Sequence, residues 1–341
     1  MTPRPNDNHS CRRLPDGTAI YVVGERDPAI RLDLFLKEKI PKMSRRRIQH
    51  AIGTRVEAPG HGRARPATIL RPGDEVIVHP LPPPIEEEPE LTIPILYQDE
   101  ELLVIDKPAG LLVHPSNHTR KGSVTHLLSR QIDGPIHLVH RLDRETSGIL
   151  IVARSSSAAR FLAAQISRER QGILKRYLAV VFGEMRIQEG VIDLPIGPAV
   201  RSAVFVKRGI NQHDGRASRT DFSVVARGGG FTLVSATLHT GRRHQIRVHL
   251  AAIGHAVVGD KLYGPAESHY LRFIQGGFDE RMRRELMTER HLLHSERMRF
   301  THPRSGSVMT FSAGLPIDMK QFLDAAGIPT DSRTSGRAAE V

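Results

Sequence analysis

Cysteine is nearly absent from this 341-residue chain. Cys11 stands alone, which excludes a disulfide framework and any cluster of thiolate metal ligands, and suits a reducing compartment. Tryptophan is missing and aromatic residues reach only 5%, so an extended single-strand binder built on rows of stacking rings is disfavoured. No apolar run approaches the roughly 18 to 20 residues of a membrane span. The opening MTPRPNDNHSCRRLPDG has basic residues but no apolar core of a signal peptide. A cytoplasmic protein with no membrane partner is expected. GxSxG, P-loop, GxGxxG and HExxH spacings are all missing. Among the 18 histidines, His239, His244 and His249 recur every five residues. That spacing turns by about 140° per step on a helix and alternates faces on a strand, so no metal is expected.

What is there points to a polyanion. Hydrophobic residues make up 39% and charged residues 25%, ordinary values for a globular protein. However, 49 Lys plus Arg against 37 Asp plus Glu leave a formal charge of +12, with a pI near 10.3. With so few aromatics, structured RNA gripped by its phosphates is the most compatible partner. The length allows two or three domains at ~100 to 200 residues each. HPLPPPIEEEPELTIP, from His79 to Pro94, combines six prolines with an acidic run and reads as an interdomain linker. The expected organisation is a flexible tail over 1–16, a small domain over 17–80, a linker over 81–94, a larger domain over 95–326 and a flexible tail over 327–341. A monomer is expected.

Ahead of the linker, TAIYVV (Thr18 to Val23) is a strand candidate and Ala29 to Ile40 carries a broad helix-like apolar face. Ser44 is placed to cap a second helix over Arg45 to Ile52, with Gly53 ending it. Arg45, Arg46 and Arg47 crowd the first turn of that helix, where cations oppose the macrodipole. A basic triplet is commonly a solvated face; an external anion would relieve the conflict. RLDLFLKEKIPKMSRRRIQHAI together with LRPGDEVIVHP resembles the S-four-type RNA-binding module, a small α+β unit. The resemblance covers about Gly17 to Pro80 and departs at EAPGHGRARP (Glu57 to Pro66). It implies that Arg45, Arg46 and Arg47 bind RNA.

Beyond the linker, short apolar runs alternate with turns: Ile95 to Tyr97, Leu102 to Ile105, Ile149 to Val152, Tyr177 to Phe182, Phe231 to Leu238 and Ile246 to Leu250. Ser123 to Gln131 and Ser156 to Arg168 read as helices. The expected fold is α+β, a catalytic domain on a mixed, largely antiparallel sheet with flanking helices. Two polar segments interrupt these runs. In HLVHRLDRETSGILIVARS, Asp143 lies between Arg141 and Arg144 at the mouth of a buried strand. Such an acid is commonly a turn former, but nearby guanidinium keeps a carboxylate ionised, as a nucleophile must be. In TLHTGRRHQIRVHLAAIGHAVVGDKLYG, alternation as a strand would group Gln245, Arg247 and His249 on one face. Gly254, Gly259, Asp260 and Gly264 then punctuate a long ordered loop.

HRLDRETSGILIVARS, LYQDEELLVIDKPAGLLVHPS, KRYLAVVFG and TGRRHQIRVHLAAIGHAVVGDKLYG resemble the RluA-type RNA pseudouridine synthases, and LLHSERMRFTHPRSG closes the match. The resemblance spans roughly Ile95 to Phe322, with Pro265 to Arg290 as an insertion. An S-four module ahead of such a domain resembles the subgroup acting on large-subunit ribosomal RNA. The resemblance implies that Asp143 is the catalytic aspartate, Arg247 its ion-pair partner and Tyr177 the ring that meets the target base. His140, Arg141, Thr146 and Gln245 would bind substrate, the first three by shaping the loop and nearby phosphate contacts, with Ile149 and Leu150 as an apolar floor. Lys107 to Gly110 reads only as a turn. Isomerising uridine needs no redox cofactor or nucleotide energy, so no cofactor is expected. The carboxylate can attack sugar or base, or assist loss of a ribose proton. Competing readings are a non-catalytic RNA-binding or ribosome-assembly protein on the same scaffold, and a hydrolase releasing free uracil.

Overall fold

A computed structural model describes the chain apart from residues 1–10, 15–16, 25–27, 42, 63, 81–90, 116–121, 168–172, 201, 203, 205 and 330–341. The chain divides into two compact units, Met1–Ile85 and Glu86–Val341. No helix among the described residues is long and apolar enough to cross a membrane.

The first unit runs β1 (Cys11–Arg13), β2 (Ala19–Val22), β3 (Ile30–Arg31), α1 (Leu32–Lys39), α2 (Arg45–Arg55), β4 (Val56–Glu57), β5 (Ile69–Leu70) and β6 (Glu75–Val78). Strands β1-β2-β6-β4 form an antiparallel sheet. Leu32, Phe35 and Leu36 recur at helical spacing on α1, as do Ile48, Ala51 and Ile52 on α2. Both stripes are buried in one core with Tyr21, Val76 and Val78. Two expectations are corrected here. The segment 1–16 is not all tail, because Cys11–Arg13 pair with Ala19–Tyr21. Gly53 does not end α2, which runs on to Arg55; there Arg55 Nη1 donates to the His79 carbonyl at 2.8 Å.

The second unit begins with β7 (Ile95–Gln98), β8 (Leu102–Lys107), α3 (Val124–Gln131), β9 (His137–Leu138), β10 (Ser147–Ala153), α4 (Ser156–Ser167) and β11 (Leu174–Phe182). It continues through β12 (Glu189–Asp193), β13 (Ile196–Pro198), β14 (Arg208–Ile210), β15 (Arg219–Gly228) and β16 (Phe231–Leu238). It closes with α5 (Gln245–Ala252), α6 (Ser268–Gly276), α7 (Glu280–Leu286), β17 (Leu293–Thr301), β18 (Val308–Ser312) and α8 (Ile317–Ala325). The main sheet has the order β12-β15-β16-β11-β17-β10-β8-β7, with β18 on β17 and β9 on β10. Its pairings are antiparallel except for β10 with β17, which is parallel. The expected α+β fold on a mixed, largely antiparallel sheet is therefore present.

Every residue of β10 is buried, and alternation splits the strand between two cores. Leu150 and Val152 face one cluster together with Leu103, Ile105 and Tyr177. Ile149, Ile151 and Ala153 face another with Leu102, Val104 and Leu162. Each fully buried Ile or Leu contributes roughly 2 kcal/mol. This division corrects the apolar floor expected of Ile149 and Leu150, since neighbouring residues on a strand cannot line one pocket. Of the expected linker, 81–90 lies outside the described residues. Its end is anchored instead: Ile93 is fully buried and exchanges two backbone hydrogen bonds with the Gln131 amide. The expected tail from Gly327 is also partly ordered, with Ile328 buried against Leu323 and Met319.

Candidate active site

The loop between β9 and β10 presents Asp143, and Leu142, Glu145 and Thr146 beside it are tied down. Leu142 is buried in the core. Thr146 N donates to the Asp143 carbonyl at 3.1 Å, and the Thr146 hydroxyl meets His291 Nε2 at 2.8 Å. Glu145 pairs with Lys261 at 2.8 Å and accepts from His291 N at 3.1 Å. Burial would raise the Glu145 pKa, but His291 and then Lys261 hold it down at about 2. The ammonium of buried Lys107 donates to the carbonyls of Pro108, Leu111 and Arg144. Read from sequence as an ordinary turn, Lys107 in fact staples the following turn to the Asp143 loop. Burial, followed by the Arg290 charge, pushes it down to about 7, with Asp143 opposing. Gly148 lets the loop enter the sheet: it has φ 104°, and a β-carbon there would lie 2.2 Å from the Ser295 carbonyl oxygen.

Arg247 reaches Asp143 from α5, not from a strand. The expected strand over Ile246 to Leu250 is corrected, for a physical reason. Gln245 to Leu250 are all buried, so no exposed face marks a period, and a short buried run fits strand and helix equally. In the helix, Ile246 and Leu250 share one core while Val248 faces another. Arg247 Nη1 donates to Asp143 Oδ2 at 2.8 Å. Its Nε and Nη2 donate to the two Asp260 carboxylate oxygens at 2.6 and 2.8 Å. Asp260 Oδ1 also accepts from Leu262 N and Tyr263 N, and the guanidinium lies 5.0 Å from the Tyr263 ring centroid.

Two carboxylates thus flank one guanidinium, with Arg247 and Asp260 buried and Asp143 partly open to solvent. Burial would raise the Asp143 pKa, but Arg247, with His244 and His291, brings it down to about 2. Burial would lower Arg247, but the Asp260 and Asp143 charges raise it well above the usual range. Asp143 is therefore ionised at neutral pH, and its side chain keeps about a fifth of its surface exposed. Tyr177 on β11 is buried. Burial lifts its phenol to about 12, with the Ser295 hydroxyl opposing and the nearby Asp143 charge adding.

Among the expected site residues, then, the structure joins Asp143 and Arg247 by a hydrogen bond, while Tyr177 is buried in the core near enough to feel the Asp143 charge. Arg141 is exposed two residues before Asp143. His140, Thr146 and Gln245 turn inward, correcting their expected contact with substrate. His140 Nε2 accepts from Ile151 N at 2.9 Å, and burial holds its imidazole at about 3. The Gln245 amide joins the Thr240 hydroxyl, Arg242 N, the Arg219 carbonyl and the Thr220 hydroxyl. Arg45 is exposed and 3.5 Å from buried Asp33, so the basic first turn of α2 has a carboxylate near it. The side chains of Arg46 and Arg47 lie outside the described residues. Sequence reasoning missed His244, Asp260 and Tyr263 as site residues. GDKLYG stands out in the sequence mainly for its glycines, and the acid between them has no spacing that marks it as a site residue.

Around the mouth, Arg141, Arg208 and Arg243 make no ion pair among the described residues. Burial and then the charges of Arg141 and Arg208 lower the Arg243 pKa, with Asp143 opposing. The expected insertion over Pro265 to Arg290 holds α6 and α7, and Lys261 packs within 4.8 Å of the Phe273 ring centroid.

Comparison with known proteins follows the same lines. The family model described as RNA pseudouridylate synthase matches residues 101–252. A protein of Xanthomonas campestris pv. campestris named ribosomal large subunit pseudouridine synthase D is 35% identical over 341 residues, covering 98% of each chain. An uncharacterized RNA pseudouridine synthase of Chlorobaculum parvum is 35% identical over 308 residues, 86% of this chain and 93% of the relative. The solved structure titled human RNA pseudouridylate synthase domain containing 4 superposes with a TM-score of 0.54 at 25% identity. It covers 70% of this chain and 95% of that one. The chain belongs to the RNA pseudouridine synthases. It is an isomerase that converts uridine in RNA to pseudouridine.

Proposed function

We propose that Asp143 is the reacting carboxylate and that large-subunit ribosomal RNA is the substrate. The observation that carries the first half is the geometry of one anion, Asp143, held by an arginine that Asp260 has already fixed. Isomerisation breaks the bond from N1 to C1′ and forms one from C5 to C1′; a proton leaves C5 and N1 gains one. An ionised carboxylate beside the ribose can attack or take a proton at each candidate step. Arg247 keeps it charged and aimed within a site that excludes most water. The target base must leave its stack, and the Tyr177 ring beside Asp143 is the aromatic surface offered to it.

The ribosomal target is supported by the names of the relatives, including the Xanthomonas protein matched along 98% of its length. Arg141, Arg208 and Arg243 supply unpaired positive charge for phosphates flanking the target. The first unit, with Arg45, Arg46 and Arg47, adds sequence-independent RNA affinity in the cytoplasm. Incubating the protein with large-subunit ribosomal RNA transcripts and mapping pseudouridine chemically tests the reading. Discrete new sites in that RNA are expected; modification only of transfer RNA would overturn the substrate assignment. Replacing Arg45, Arg46 and Arg47 with Ala should weaken binding and reduce its salt slope by roughly 1 for each phosphate no longer neutralised. An unchanged slope would remove the first unit from RNA binding.

A further inference from the structure

His244 is one of two non-glycine residues with positive φ among the described residues, the other being Met287. It stands at the N-cap of α5 with φ 60° and ψ 18°, and its side chain makes no capping hydrogen bond. A left-handed residue bearing a β-carbon is sterically disfavoured, so contacts outside the helix hold it there. Its Nδ1 lies 2.8 Å from the Tyr263 hydroxyl, and its Nε2 faces Asp143 Oδ1 at 3.7 Å. The other Asp143 oxygen is taken by Arg247.

The proton on this imidazole can be placed. Burial keeps His244 neutral, near 3, despite the adjacent Asp143. The Tyr263 oxygen already accepts from Arg208 N at 2.9 Å, which leaves its own proton for His244 Nδ1. The imidazole proton then sits on Nε2, facing the carboxylate. Arg243 Nε, itself a donor, is 3.4 Å from the same nitrogen; that contact needs a bare Nε2 and, at the edge of bonding distance, yields to the 2.8 Å bond that Nδ1 accepts from the Tyr263 hydroxyl.

An N–H donor and a carboxylate oxygen 3.7 Å apart bond each other poorly but suit one hydroxyl set about 2.8 Å from each. Such a hydroxyl would donate to Asp143 Oδ1 and accept from His244 Nε2. Within an RNA chain the 3′ and 5′ oxygens are esterified, so the 2′-hydroxyl is the one free hydroxyl of the target nucleotide. We infer that His244 and Asp143 together grip the 2′-hydroxyl of the target uridine, so that the site selects ribose over deoxyribose. The inference rests on the reading of Asp143 as the reacting group.

The test pairs two proteins with two RNAs. Wild type and His244→Asn are titrated, on the mixing timescale before turnover, with an rRNA fragment carrying uridine or 2′-deoxyuridine at the mapped target. Asparagine tolerates the left-handed conformation, so the variant should fold with a Tm within a few degrees of wild type. Wild type should prefer ribose on the order of tenfold. His244→Asn, whose shorter amide falls short of the hydroxyl, should lose that preference by binding the ribose form as weakly as the deoxyribose form, and His244→Gln, whose longer side chain brings an amide N–H back into reach, should recover part of it. Full preference retained in His244→Asn would overturn the inference. If that variant loses more than a few degrees of Tm, His244→Gly, which relieves the backbone, replaces it in the comparison. Absence of pseudouridine in every RNA treated with wild type would instead defeat the functional reading itself.

Discussion

A guanidinium offers five N–H donors in a planar fork, and Arg247 uses both of its edges, Nε with Nη2 on Asp260 and Nη1 on Asp143. Asp260, fully buried, therefore orients the arginine before any substrate arrives. Replacing it with Asn keeps the shape but removes the charge, leaving Arg247 with one exposed partner. Breaking a buried pair from one side costs about 3 kcal/mol, so Asp260→Asn should lose stability of that order in chemical denaturation, with a fall in turnover. Unchanged stability would show that Asp143 alone satisfies the arginine. Residue identity was the most legible layer of the site. Asp143 and Arg247 stood in HRLDRE and HQIRVH, and family resemblance gave them roles. Asp260 escaped because a single buried acid has no spacing of its own; only its partner reveals it.

At the scale of elements, burial decides what a sequence can disclose. Helices α1, α3 and α4 have one wet face, and their apolar spacing showed through; α3 even starts where Ser123 accepts from His126 N. Helix α5 has no wet face over Gln245 to Leu250, so its period vanished and a strand was expected. Strand β10 was legible as a buried run, but its division between two cores follows from pleating. Gly148 joins these elements to the site, because β10 and β17 pair in parallel there, Gly148 opposite Ser295. A methyl group would meet the Ser295 backbone and face a positive φ as well. Gly148→Ala should destabilise by more than about 2 kcal/mol and slow turnover by shifting the Asp143 loop. Thermal unfolding and single-turnover assays check this, and a variant matching wild type in both would contradict the packing argument.

Over the whole molecule, the charge surplus and the proline-rich boundary were visible in composition, whereas the anchoring of Ile93 depended on Gln131 and that of Ile328 on a core shared with Leu178 and Leu233, far away in sequence. Burial also gives the molecule an acid-sensitive fold. His140 and His244 are pushed down to about 3, and His294 to about 4, by burial above all. Each folded value lies below the unfolded value of about 6.5, so the unfolded chain binds protons first on acidification. Their stabilisation is complete above that pH and is lost as pH falls towards 4 and 3. Asp143 and Glu145, held at about 2, lose theirs only below about 4. Tm should therefore begin to fall near pH 6, and a flat Tm from pH 7 to 5 would contradict the neutral histidines. The central claim, that Asp143 is the reacting carboxylate, is tested most directly by the yield of pseudouridine from Asp143→Asn under single-turnover conditions. Because Arg247 keeps Asp260, the variant should fold and bind RNA much as wild type does. The account predicts no pseudouridine from it, and turnover near the wild-type rate would contradict the account.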